Sequence, residues 1–151
     1  MSHERVNIGK AAPALYQAVA ELDRLAGQAL AAAGIAEGFS HLLRLRASQI
    51  NGCAFCIRLH ARDALQSGEA ADRLAVLPAW RETVYFTAHE RAALALVEAV
   101  TLIADGQVED AVYAEAAAQL SAEQIAAVQW LAVVINSWNR IAISSRYPVG
   151  P

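Results

Sequence analysis

Apolar residues recur along this chain at intervals of three and four, the period of a helix with one buried face. Leu15, Val19, Leu22, Leu25 and Leu30 keep that spacing, with Pro13 suited to a first helical turn and Gly34 to an end. The pattern resumes over 37–50, where Phe39, Leu42, Leu43, Leu45 and Ile50 surround Arg44 and Arg46, until Asn51-Gly52 breaks it. A third helix is expected to begin at the cysteines, Cys53 and Cys56, and to run to Ser67, with Gly68 ending it. A short helix near 69–76 follows, then a loop with Pro78 and Trp80. Thr87 with Glu90 and Ser121 with Gln124 each read as a capping box. They open helices reaching about Ala104 and about Ser144, with an alanine-rich helix over 109–119 between them. The tail over 146–151, which holds Pro148 and Pro151, is expected to fray. No stretch alternates with period two for long enough to make a strand. The prediction is an all-α chain in which residues 1–151 form a single domain.

Composition adds assembly to this picture. Hydrophobic residues make up 56% of the chain, mostly alanine and leucine, against about 45–50% in ordinary globular domains. That surplus exceeds what one small globule needs to cover, so some helix faces are expected to be buried in a homo-oligomer. Twelve basic residues against 15 acidic give a net charge of −3, with no basic footprint for nucleic acid. The opening MSHERVNIGK is too polar for the core of a signal peptide. The apolar runs near 91–104 and 125–135 are broken by Glu98 and Gln129, and neither reaches the roughly 20 residues of a membrane span. No membrane partner is expected, and the cytoplasm is the expected compartment. Two cysteines kept in a reducing environment point to catalysis or metal binding before a structural disulfide.

Those cysteines, the only two in the chain, lie in Asn51-Gly-Cys53-Ala-Phe-Cys56-Ile-Arg-Leu-His60. On a helix, positions i, i+3 and i+7 share a face, which would place both sulfurs and the imidazole on one stripe. The thiolate is the reactive form of cysteine, and a helix N-terminus favours it. His60, one turn beyond Cys56, can take up or relay a proton. A sulfenic acid on one sulfur could be captured by the other. Spacing alone leaves two other readings open. Cys53, Cys56 and His60 could be part of a zinc site completed by a fourth ligand or a water, or the cysteines could be inert and buried. A thioredoxin-type dithiol is disfavoured, since that motif follows a strand in a βαβ pattern.

The longer segment Leu45-Arg-Ala-Ser48-Gln-Ile-Asn51-Gly-Cys53-Ala-Phe-Cys56-Ile-Arg-Leu-His60 resembles the core of the alkylhydroperoxidase D-like (AhpD-like) proteins of the carboxymuconolactone decarboxylase superfamily. The likeness continues through Ala79-Trp80-Arg-Glu82, Glu90-Arg-Ala-Ala-Leu94, Glu98-Ala-Val-Thr101 and Asn136-Ser-Trp138-Asn139-Arg140, covering about 40 to 140. It implies an AhpD-like helical bundle assembled as a trimer or hexamer, and a peroxidase site without metal or organic cofactor. Cys56 would be oxidised to a sulfenic acid by an organic hydroperoxide or hydrogen peroxide. Cys53 would donate a proton and resolve the intermediate to a disulfide, with His60 in the proton relay. An external dithiol, lipoylated or thioredoxin-like, would restore the reduced state.

In one respect the chain departs from the motif it resembles. Twelve residues before the first cysteine the motif has a glutamate of the proton relay, and this chain has His41. Imidazole can relay protons near neutral pH, but a carboxylate that would orient and charge His60 is gone. The departure motivates an alternative, a thiol–disulfide oxidoreductase or redox-responsive protein with little peroxide turnover. A decarboxylase or lactone-handling enzyme like the superfamily's namesake is disfavoured by the C-x-x-C, on which those enzymes do not depend. A helical assembly module with a zinc clip is the non-enzymatic reading. Elsewhere, capping accounts for Glu90, Glu98 is expected to pair with Arg91 or lie in a helix interface, and Glu82 has no assigned role. Trp80, Trp130 and Trp138 are expected in the core or at subunit contacts. Asn136, Asn139 and Arg140 are expected to bond loop backbone or a neighbouring subunit, and Arg44 and Arg46 to favour a thiolate or line a solvated face.

Overall fold

A computed structural model describes residues 3–151 and contains, among them, helices and no strand. The elements are α1 (Ile8–Ala11), α2 (Pro13–Ala32), α3 (Glu37–Asn51), α4 (Ala54–Gln66), α5 (Ala71–Val76), a 3-10 helix (Leu77–Glu82), α6 (Ala88–Thr101), α7 (Asp110–Gln119) and α8 (Ala122–Ser145). The all-α prediction holds. The sequence pattern did not announce α1, a single turn capped by the Asn7 side chain.

Both capping boxes form, with the Thr87 hydroxyl accepting from Glu90 N–H and the Ser121 hydroxyl from Gln124 N–H, each reciprocated by the longer side chain. Thr87→Ala is expected to lower stability by about 1 kcal/mol in urea unfolding, with the slope unchanged.

Leu30, Leu42, Leu43, Leu45, Leu77, Leu94, Leu96, Val97, Val128, Leu131 and Ile135 are all but fully buried, so the core lies where α3, α6 and α8 meet. The apolar stripe of α2 is only half used. Leu30 is buried, whereas Leu15 is 71% exposed and Leu25 47%.

A polar ladder ties these helices together beside the cysteines. Asn51 donates to Asn136 Oδ1 at 2.9 Å and Asn139 Oδ1 at 2.8 Å, Asn139 donates to Ser48 Oγ at 3.0 Å, and Asn136 donates to Thr101 Oγ1 at 3.0 Å. Asn136 and Asn139 thus bond mainly to side chains of α3 and α6 within the chain, not to loop backbone. Among the described residues no buried side-chain nitrogen or oxygen lacks a partner, as a stable polar core requires. Arg44 and Arg46 do not line a solvated face either: Arg44 bonds Ser40 and faces Asp23, and Arg46 bonds Glu98.

The tail, expected to fray, is held at Tyr147, whose N–H bonds Ala142 O and whose ring packs edge-on against Phe55 at 5.2 Å.

Candidate active site

Gly52 builds the site. At φ 69°, the left-handed conformation that glycine adopts without penalty, it ends α3, and Cys53 N–H bonds Ser48 O at 3.0 Å. The chain therefore leaves α3 and enters α4 within two residues, and Cys53 becomes the N-cap of α4. The helix thus starts one residue later than expected, and Cys53 stands at the head of the stripe, in extended backbone. Its Sγ accepts the Cys56 N–H at 3.4 Å, as an N-cap oxygen would. Cys56 and His60 follow on α4 at i and i+4, both buried. The two sulfurs lie 2.6 Å apart, and both cysteines are free.

Cys56 and His60 line one cavity of about 210 Å³, walled by Tyr16, Phe55, Trp138 and Tyr147. It is small, largely apolar and partly open, with aromatic rings along its walls. Cys53 borders a separate cleft between Phe55 and Tyr147 that does not contain His60. A larger cavity of about 680 Å³ lies on the other side of His60, bordered by His41, Arg44, Asp63 and Asp23. His60 is common to both spaces.

The fold brings His41 to His60. Their Nδ1 atoms are 3.4 Å apart and their rings stack with centroids at 5.7 Å. Asp63, one turn after His60 on α4, sets Oδ2 at 3.8 Å from His60 Nδ1 and 3.9 Å from His41 Nδ1. Glu37 Oε1 lies 4.0 Å from His41 Nε2. Sequence reasoning singled out Cys53, Cys56, His60 and His41 but missed Asp63 and Asp23, and it named Asn139 without its partners Ser48 and Asn51. The i, i+3 spacing from His60 to Asp63 was a readable signal. Asp23, from α2, left none.

Burial sets the resting protonation. Desolvation, then the hydrogen bond with Cys53, pushes the Cys56 thiol up to about 12, while Asn139 acts against the rise. Desolvation, then the positive charge of Arg44 and the neighbouring His41, pushes His60 down to about 3. His41 is lowered by burial and by Arg44, against the pull of Asp63, Glu37 and Asp23. At neutral pH the reduced site therefore holds a thiol at Cys56 and neutral imidazole at His60, not an ion pair.

His89, by contrast, bonds Gln124 Oε1 at 3.2 Å, and Glu90 is taken up by Thr87 and Arg73. Glu98 pairs with Arg46 and Arg81 rather than Arg91.

A C-x-x-C pair at the start of a helix within an all-α bundle defines this class of protein. The Carboxymuconolactone decarboxylase family matches residues 13–99. The chain belongs to that family, and within its superfamily it is an AhpD-like protein. YdfG of Bacillus subtilis, itself uncharacterized, is 42% identical over 103 residues, which cover 68% of this chain and 70% of YdfG. A crystal structure from Agrobacterium tumefaciens superposes with a TM-score of 0.87 at 36% identity, covering 98% of this chain and 100% of that one. That protein is described as of unknown function and as a candidate antioxidant defence protein AhpD.

Proposed function

We propose that this chain reduces hydroperoxides with the Cys53–Cys56 dithiol. The observation that carries the proposal is the Cys56 sulfur, sharing an apolar cavity with His60 while facing the Cys53 sulfur at 2.6 Å. The antioxidant description of the Agrobacterium protein supports it.

In the proposed cycle, Cys56 sulfur attacks the distal peroxide oxygen and the O–O bond breaks. The thiol proton passes by way of His60, and the alkoxide leaves as alcohol, so that ROOH and thiol become ROH and Cys56 sulfenic acid. Cys53 sulfur then displaces hydroxide from the sulfenic sulfur, which leaves as water once protonated, and the disulfide forms. An external dithiol, lipoylated or thioredoxin-like, returns the pair to thiols by two exchange steps and becomes a disulfide itself. Aromatic walls around the cavity suit a small organic hydroperoxide better than a charged one. The reading includes a homo-oligomer, trimer or hexamer, in which a second copy covers exposed apolar side chains such as Leu15, Leu25 and Trp130. No helix of the described residues is long and apolar enough to cross a membrane.

Mixing fully reduced protein with one equivalent of organic hydroperoxide tests the proposal. Loss of one peroxide and two thiols per chain, faster than with free dithiol, is expected. Loss no faster than that background removes it. The pH profile tests the relay. Because Cys56 is a thiol and His60 a neutral base across the working range, assistance by His60 predicts a rate flat between about pH 5 and 9. In His60→Ala only preformed thiolate can react, so the stopped-flow rate should rise about tenfold per pH unit. A slope of one in the unmodified protein would exclude the relay.

A second reading has its own observation. A thiol held as high as about 12 is a poor peroxide nucleophile, which favours a thiol–disulfide oxidoreductase or redox-responsive protein. Ready reduction of the disulfide by dithiols with negligible peroxide loss would decide for it.

A further inference from the structure

Three donors converge on the face of His60 that the dithiol does not use. His41 Nδ1 and His60 Nδ1 are 3.4 Å apart, and one Asp63 oxygen lies 3.9 and 3.8 Å from them. In a tetrahedral zinc site with metal–ligand bonds of about 2.05 Å, adjacent donors stand about 3.4 Å apart, against about 2.9 Å for octahedral neighbours. The nitrogen pair already has the tetrahedral spacing. The Asp63 side chain is 33% exposed and needs to swing inward by only about 0.4 Å to match it. A hydrogen bond between two imidazoles would not by itself place a carboxylate oxygen almost equidistant from both nitrogens.

The surroundings fit a cation held by two imidazoles and a carboxylate. Glu37 lies 4.0 Å from the far nitrogen of His41, where a carboxylate commonly orients a metal-bound histidine. Arg44 opposes a cation, but Asp23 faces it at 3.6 Å and leaves Asp63 and Glu37 unbalanced. The cavity of about 680 Å³ borders His41, His60 and Asp63, so a fourth position is open to water.

We propose that His41, His60 and Asp63 form a zinc site, and that zinc bound there silences the dithiol. The second half rests on the peroxidase reading. Zinc on Nδ1 of His60 fixes the proton on Nε2 and leaves no free ring nitrogen to accept one, so the relay stops. The ligand set differs from a clip of Cys53, Cys56 and His60, because it leaves both sulfurs free. His41, the departure from the resembled motif, then has a use of its own as the second imidazole.

The test starts from a Cys53→Ser/Cys56→Ser double variant stripped with chelator, so that no thiol can bind metal. It is titrated with zinc chloride against a chromogenic chelator. One zinc per chain is expected. Adding His41→Ala should weaken binding at least about 100-fold, and adding Asp63→Asn at least about tenfold. Asp63→Asn preserves shape at a partly exposed position, and circular dichroism on both variants reports the fold. No zinc in the double variant, or binding unchanged by both substitutions, overturns the site. In the reduced protein with native cysteines, equimolar zinc should stop hydroperoxide loss and chelator should restore it. Continued loss with zinc bound overturns the silencing. If peroxide is not consumed even without zinc while the double variant still binds it, the peroxidase reading fails and the site stands.

Discussion

Cys56→Ser is expected to lower hydroperoxide consumption at least about 1,000-fold, to the background of free thiol. Serine keeps the size and the hydrogen-bonding position but offers no sulfur for oxygen transfer, so the first step of the proposed cycle has no acceptor. Cys53→Ser should behave differently. One peroxide is consumed per chain, the Cys56 sulfenic acid accumulates, and turnover ends because no second sulfur stands at 2.6 Å to displace hydroxide. Peroxide loss in a single-turnover assay, read with a sulfenic-acid-trapping reagent and mass spectrometry, separates the two variants. The reverse result, with Cys53→Ser silent and Cys56→Ser trapped as a sulfenic acid, would exchange the roles of the sulfurs. The geometry favours the first assignment because Cys56 shares its cavity with His60 and Cys53 does not.

The largest expected effect on stability lies away from the sulfurs, at Glu98. Its carboxylate accepts from Arg46 Nε at 2.8 Å, Trp80 Nε1 at 2.8 Å and Arg81 Nη1 at 2.5 Å. It thereby ties α3 and the 3-10 helix to α6, with Arg81 and Arg91 placed over the Trp80 ring at 4.1 and 5.2 Å. Glu98→Ala removes the centre of the network and leaves the Arg46 guanidinium half-buried without a counter-charge. A loss of about 3 kcal/mol is expected, seen as a fall in Tm of roughly 6–12 °C. Burial alone would raise the Glu98 carboxyl, but the three hydrogen bonds outweigh it and hold it below the usual carboxylate range. A depressed carboxylate contributes stability that is fully present above its unfolded value, about 4.3, and is lost as pH falls through the lower folded value. Denaturant unfolding of Glu98→Gln and the unmodified protein should therefore differ at pH 7 and converge below about pH 4. A difference unchanged with pH would mean that shape, not charge, is what Glu98 supplies.

Hydrophobic period, capping boxes and turn glycines were enough to assign most helices, because each depends on residues within one or two turns of one another. The Thr87/Glu90 and Ser121/Gln124 boxes formed as their spacing predicted. Cys56 and His60 on one helix, and the cysteines at its start, were legible for the same reason. The sharp turn at Gly52 was visible too, but its consequence was not: Cys53 caps the helix instead of lying within it. Partnerships across helices could not be read in this way. His41 and His60 are 19 positions apart, and only the packing of α3 against α4 brings their Nδ1 atoms to 3.4 Å. Asn139 reaches Ser48 from 91 positions away and Trp138 reaches Asp23 from 115. Local spacing carries no information about such contacts. Burial, which makes Cys56 a resting thiol and His60 a neutral base, was equally out of reach. A helix N-terminus by itself argues for a thiolate, and desolvation by the surrounding helices reverses that argument for Cys56. The sequence by itself thus determined most of the helices and singled out the residues proposed to carry the chemistry. Tertiary structure alone decided the protonation of those residues and their neighbours across the bundle, because desolvation and long-range contact exist only once the helices have packed.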